Sequence, residues 1–167
     1  MEPMAELELA TGYVPGAVGR ITELHADHYH REWGFGLFFE ATVAAGLSEF
    51  LVRFDDARDR LWTVRVKGRV EGSLAIDAIK AEVEGAHLRW FIVAPHLHGR
   101  GFGNALMKEA VTFCREKNYR LVYLWTFAGL LAARHLYEKF GFRLVEQREG
   151  ARWGRVVNEQ RFVLVLG

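Results

Sequence analysis

"APHLHGRGFGNALM", residues 94–107, decides how the rest of the chain is read. It follows the apolar run "LRWFIV" (88–93) and leads directly into a helix-like pattern. Gly99, Gly101 and Gly103 take alternate positions, Arg100 lies between the first two, and the stretch has no acidic residue. A helix start carries backbone N–H groups without intrahelical partners and a partial positive charge. A loop that turns further N–H groups inward enlarges this into an anion nest. Glycine suits the innermost positions, where a side chain would occupy the space of the anion. The order strand, glycine loop, helix therefore fits a diphosphate site, with Arg100 adding charge. It also fits a glycine-rich connection that holds nothing. Two familiar phosphate patterns are absent: G-x-x-x-x-G-K-[ST] does not occur, and G-x-G-x-x-G fails at Asn104 and at Leu106, depending on the starting glycine.

Periodicity on either side of this segment gives a mixed order of elements. "AELELAT" (5–11) alternates like a short strand. Residues 16–33 read as a helix with Val18, Ile21, Leu24, His28 and Tyr29 near one face, and residues 37–54 as a second, more apolar helix. Residues 60–79 read as a hairpin turning at Lys67-Gly68, with Trp62, Val64 and Val66 alternating with polar residues. Residues 85–95 form a strand that Pro95 ends. Residues 102–117 form the strongest helix, with Leu106, Met107, Ala110, Val111 and Cys114 on one stripe. A buried strand (120–127), a helix closed by Gly141 (130–140) and two further strands (142–149 and 156–166) complete the chain. The expected fold class is α+β: one sheet with helices on both faces.

The chain has 167 residues, enough for one domain spanning 1–167 with a real core. Half of the residues are apolar and 26% are charged, and the formal charge of +1 gives no sign of a nucleic-acid partner. No apolar run is long enough for a membrane span, and "MEPMAELELATGY" does not read as a signal peptide. A cytoplasmic location is expected. The single cysteine, Cys114, allows no internal disulfide.

With these elements in place, His98-Gly99-Arg100-Gly101-Phe102-Gly103 resembles the acyl-CoA-binding motif of GCN5-related N-acetyltransferases, [Q/R]-x-x-G-x-[G/A]. "ARHLYEKFGFRLVE" (133–146) is similar to the second signature of that family, and the element order matches it nearly throughout. The stretches 15–35 and 121–146 also look like the acetyltransferase module that some bacterial proteins fuse to a MarR-type regulator; no regulator domain is expected here. The resemblance implies a mostly antiparallel twisted sheet that splays between its fourth and fifth strands. It implies that pantetheine pairs with Phe91, Ile92 and Val93, and that residues 98–104 (His98, Gly99, Arg100, Gly101, Phe102, Gly103 and Asn104) hold the pyrophosphate. Acetyl-CoA would then be the cosubstrate, with no metal, and its acetyl group would pass directly to an amine without an acyl-enzyme. Two positions depart from the pattern: His98 stands where Gln or Arg is usual, and Phe127-Ala128-Gly129-Leu130 lacks the usual Asn.

The resemblance places Tyr137 as the acid that protonates the departing thiolate. The base is open among Glu40, Glu82, Glu84 and His87, with Glu40 in the second helix taken first. Tyr29 and Trp33 in the first helix are candidate acceptor contacts, and Trp33, Phe35, Phe38 and Phe39 either wall an acceptor pocket or belong to the core. Arg148, Arg152 and Arg155 flank the "GARWGR" turn; Arg152 is the candidate for a carboxylate of the acceptor. Cys114 reads as a core thiol, and the spacing of His25, His28, His30, His96 and His98 does not suit a zinc site. The expected activity is N-acetylation of a small-molecule primary amine, such as an amino acid. The alternative is a catalytically weak acyl-CoA sensor or regulatory module. The expected partners are a small amine and, for a dimeric protein, a second copy, with neither nucleic acid nor membrane.

Overall fold

The computed structural model describes residues 7–167. The first expected strand begins at residue 5, so its first two residues lie outside the described part. The elements follow as β1 (Leu7–Thr11), α1 (Ala17–Trp33), α2 (Leu37–Val52), β2 (Arg60–Val66), β3 (Arg69–Asp77), β4 (Ala86–Val93), α3 (Phe102–Glu116), β5 (Leu121–Phe127), α4 (Leu131–Lys139), β6 (Arg143–Gly150) and β7 (Val157–Val165). A short 3₁₀ turn, Pro95–Leu97, lies between β4 and α3. Among the described residues, no helix is long and apolar enough to cross a membrane.

All seven strands form one sheet in the order β1-β2-β3-β4-β5-β7-β6. Every neighbouring pair is antiparallel except β4 and β5. Helices cover both faces. Leu61 and Ala75 turn to one face, where Ala17 and Ile21 of α1 and Leu47 and Phe50 of α2 bury them. Their neighbours Trp62, Leu74 and Ile76 turn to the other, against Leu106, Met107, Ala110 and Phe113 of α3. The two-residue period of a strand thus feeds two cores.

The central feature is where β4 and β5 part. They are parallel and share only two register pairs, Ala86↔Val122 and His87↔Tyr123. Beyond these pairs they diverge. On its other edge β4 carries a bulge: Ala75 pairs with Arg89 and Ser73 with Ile92, so Trp90 and Phe91 together oppose Leu74. Trp90 takes a left-handed backbone with φ 48°, and the Ser73 hydroxyl donates to its carbonyl at 2.6 Å. A bulge increases local twist and bends the strand, which here turns β4 away from β5.

Candidate active site

Two cavities fill the wedge between the carboxyl ends of β4 and β5. One, of about 450 Å³, is lined by Phe91, Ile92 and Val93 of β4, by Leu97, His98, Gly99, Gly101, Phe102 and Gly103, and by the first turns of α4. The other, of about 290 Å³, lies between α1, α2, β4, β5 and the β6–β7 turn. Tyr29, Phe91, Leu130 and Tyr137 line both and form a shared wall.

Backbone groups dominate the larger cavity. Gly101 caps α3 with φ 84° and ψ 4°, a left-handed conformation that costs other residues about 1–2 kcal/mol. Ala105 N–H is the first to bond back into the helix, to Gly101 C=O at 3.0 Å. The N–H groups of Phe102, Gly103 and Asn104 therefore have no intrahelical partner, and no side chain caps them. A Cβ on Gly99 or Gly101 would meet nothing within 4 Å; one on Gly103 would sit 3.6 Å from Leu136 and Phe91. Space beside the glycines and unpaired N–H groups at a helix start are the requirements of a phosphate cradle.

Side chains near this cradle are partly committed elsewhere. His98 Nε2 lies 2.8 Å from Val93 C=O, so this nitrogen carries the hydrogen and donates there. Asn104 accepts a hydrogen bond from Lys139 at 2.7 Å. Arg100 is exposed, with its guanidinium 5.9 Å from the Phe102 ring. His28, from α1, also borders this cavity.

Side chains dominate the smaller cavity. His25, Tyr29, His87, Arg89, Trp125, Phe127, Arg152 and Trp153 all reach it. Burial pushes the Tyr29 phenol up to about 12 and the Tyr137 phenol further, so both stay protonated at neutral pH. Neither hydroxyl hydrogen-bonds another described residue. His87 stacks on Tyr123 at 4.4 Å, and burial, with Arg89 nearby, lowers it to about 3.

Each of the two arginines in this cavity is held by a buried carboxylate. Asp77 receives Arg89 at 3.0 Å and Arg53 at 3.0 and 2.7 Å. Burial opposes its charge, but the guanidinium groups outweigh that and keep its carboxyl below the ordinary range. Glu159 receives Arg152 Nε at 3.2 Å, Arg152 N–H at 2.9 Å and Arg148 at 3.3 Å. Arg152 also lies 4.0 Å from the Trp125 ring and Arg89 4.1 Å from the Trp90 ring. Each buried carboxylate is shared by two guanidinium groups. No carboxylate lines the cavity itself.

Several sequence expectations are corrected. Glu40 reaches neither cavity: it sits in the first turn of α2 and lines an outer groove with Val18, Thr22 and His30. Glu82 pairs with Arg58 at 2.7 Å and Glu84 with Lys80 at 3.8 Å, and neither lines the cavity. Trp33 packs edge-on against Phe127 at 4.9 Å and over Gly129, where a Cβ would come within 2.5 Å of its ring. It braces the β5–α4 turn rather than lining either cavity. Phe35 is core and Phe38 is exposed, while Phe39 reaches the cavity. Arg155 lies against Gly34, outside both cavities. The histidines diverge: His25 enters the smaller cavity, His28 the larger, and His30 bonds Phe35 C=O at 2.8 Å. Cys114 is buried, and burial pushes its thiol up to about 12.

Residues 19–142 match the model of the acetyltransferase (GNAT) family. The chain belongs to this family. It is 34% identical over 88 residues to N-acetylaspartate synthetase of Danio rerio, a match covering 53% of this chain and 31% of that protein. It is 30% identical over 115 residues to an uncharacterised N-acetyltransferase of Methanocaldococcus jannaschii, covering 65% and 48%. These matches thus span about a third to a half of the curated relatives' own length. The fold is similar to that of YncA of Salmonella typhimurium, solved with its cofactor acetyl-CoA, at a TM-score of 0.71 and 14% identity over 97% of this chain and 95% of that one. As a GNAT chain it is read as an acyltransferase, and its helices and splayed sheet are the GNAT arrangement.

Proposed function

We propose that this GNAT chain transfers the acetyl group of acetyl-CoA directly to the primary amine of a small acceptor that carries a carboxylate, such as an amino acid. The observation that carries the reading is the pair of cavities meeting at one wall where β4 and β5 separate. The larger suits the cosubstrate: unpaired N–H groups of residues 102–104 and the open space at Gly101 suit its pyrophosphate. The diverging edge of β4 at Phe91–Val93 suits the amide groups of pantetheine, as an added strand would. Acetyl-CoA supplies an activated acetyl thioester.

The remaining chemistry belongs to the chain. Tyr137 is buried on the shared wall with its hydroxyl unused by the protein, and its phenol remains protonated. It is the group proposed to give a proton to the departing sulfur. The smaller cavity holds the acceptor. Two arginines reach it without a lining carboxylate, so an anionic group is favoured and a polycation is repelled. Trp125 and Trp153 line the same cavity.

The test is thiol release from acetyl-CoA across the twenty standard amino acids, spermidine and an aminoglycoside. Release with amino acids and not with spermidine supports the reading. A best acceptor that is a polyamine removes the carboxylate from it. Binding of CoA with no turnover on any of these amines favours the sensor reading instead. The tie of His98 to Val93 C=O is the observation on that side, because it occupies a carbonyl that pantetheine would otherwise meet.

A further inference from the structure

The acceptor cavity needs a proton acceptor, and none of the carboxylates considered from the sequence reaches it. His25 does. It stands on the inner face of α1, one turn before Tyr29, and the two rings lie nearly parallel with centroids 6.3 Å apart. Tyr29 belongs to the wall that both cavities share. His25 Nδ1 is 2.8 Å from Ile21 C=O. A carbonyl only accepts, so Nδ1 carries the hydrogen, and in the neutral ring Nε2 is the nitrogen with the free lone pair. The bond to Ile21 fixes both the tautomer and the ring orientation, as an orienting partner does for a general base. Other ionisable groups on the same cavity serve less well. His87 stacks on Tyr123, and no hydrogen bond among the described residues fixes its tautomer as one does for His25; Arg89 and Arg152 carry no lone pair, and the two tyrosines keep their protons.

Resting on the proposed acetyl transfer, we infer that His25 Nε2 is the general base that takes the proton from the acceptor nitrogen. The amine enters unprotonated, and its lone pair forms the bond to the acetyl carbon. The N–H bond then breaks toward Nε2, leaving a neutral amide. The carbon–sulfur bond breaks with its electron pair on sulfur, which takes the proton of Tyr137. The proton on His25 returns to the Tyr137 phenolate through solvent, so the reaction releases an amide and a thiol and consumes no other reagent. Burial, against the bond to Ile21 and with the nearby charge of His28, brings His25 down to about 4. The ring is therefore free to accept at neutral pH. It suits a nitrogen made acidic by bonding to the acetyl carbon better than a free ammonium.

Two measurements test this. Nitrogen-15 NMR of the imidazole rings in the unliganded protein should show His25 neutral at pH 7, with hydrogen on Nδ1. A ring with hydrogen on Nε2, or one protonated at that pH, overturns the assignment. In His25→Asn the amide can still donate to Ile21 C=O, so folding and the thermal shift with CoA should persist. Single-turnover transfer from acetyl-CoA to the best amino acid of the panel should fall about 10²–10⁴-fold. In His25→Ala, added imidazole should restore part of the lost rate, which a packing role would not allow. Parental transfer by His25→Asn, or no rescue of His25→Ala, overturns the role of His25 alone. A parent chain that transfers to no amine overturns both this inference and the reading beneath it.

Discussion

The two cavities that meet at Tyr137 are built from different materials. The cofactor side draws mainly on one continuous segment, residues 91–103, together with the first turns of α4, and its central groups are backbone N–H donors at the start of α3. The smaller cavity, proposed for the acceptor, draws single side chains from α1, α2, β4, β5, α4 and the β6–β7 turn, and its polar groups are guanidinium, imidazole, phenol and hydroxyl groups. A backbone site needs only that side chains be absent at the right places. A side-chain site needs several elements to arrive together, each with its own partner: Asp77 behind Arg89, Glu159 behind Arg152, and Ile21 C=O behind His25. The first kind can be kept by a few glycines. The second can be retuned by one substitution, so in the proposed function substrate choice would reside there.

The largest effect is expected where the two sides touch. Tyr137→Phe keeps the ring among Phe91, Phe142 and Phe162 but removes the oxygen. Turnover should fall about 10²–10⁴-fold in single-turnover measurements, with acetyl-CoA binding nearly unchanged. Parental turnover would make the wall a partition rather than a reacting surface.

The next effect separates the sides by pH. His25 is held near 4, while in the unfolded chain it titrates near its ordinary value of 6.5. The unfolded state therefore binds more protons between these values. The stability that His25 contributes is complete above about pH 6.5 and is lost as the pH falls through 4, roughly 3 kcal/mol in all. His87, lowered to about 3, adds to this loss over the same range from about pH 6.5 and continues it down through 3. Urea unfolding from pH 7 to pH 4 should show the combined slope of the two histidines, and His25→Asn should make it shallower by roughly half. Equal slopes in the two proteins would mean that the ring is not buried neutral.

On the cofactor side, Gly101→Val places a β-branched residue at φ 84° beside the open space. CoA affinity should drop tenfold to a hundredfold, read as a lost thermal shift, while the acceptor KM changes little. The smallest effect is expected from Arg152→Ala. Its guanidinium already shares Glu159 with Arg148, so its loss should raise the acceptor KM only about fivefold and leave that of acetyl-CoA alone. If Gly101→Val instead raised the acceptor KM and Arg152→Ala that of acetyl-CoA, the division between the cavities would be wrong.

The same contrast explains what was legible in the sequence. Each described element follows the expected periodicity to within a residue or two, because amphipathic stripes such as Leu106, Met107, Ala110 and Cys114 are written locally. The glycine loop was legible for the same reason. Glu40 was misplaced because a helix pattern shows which residues are polar, but not which groove an exposed one borders. Trp33 was misassigned because its seat is Gly129, almost a hundred residues away. In the sequence, His25 stands out only as one of several histidines whose spacing does not suit a zinc site. One signal did point inward: it lies four residues after Ile21 and four before Tyr29, on the stripe that α1 buries.

Tyr29, Phe91, Leu130 and Tyr137 border both cavities, so whatever fills one becomes part of the lining of the other. In the proposed transfer the two ligands would meet at this wall. If a bound pantetheine arm improves the acceptor's fit by some factor, the acceptor must tighten CoA by that same factor. In the proposed reaction, the smaller cavity would lack, before the thioester arrives, the surface on which the amine is to be aimed. Occupation in a preferred order, cosubstrate first, would follow from the architecture of this wall, without any moving lid.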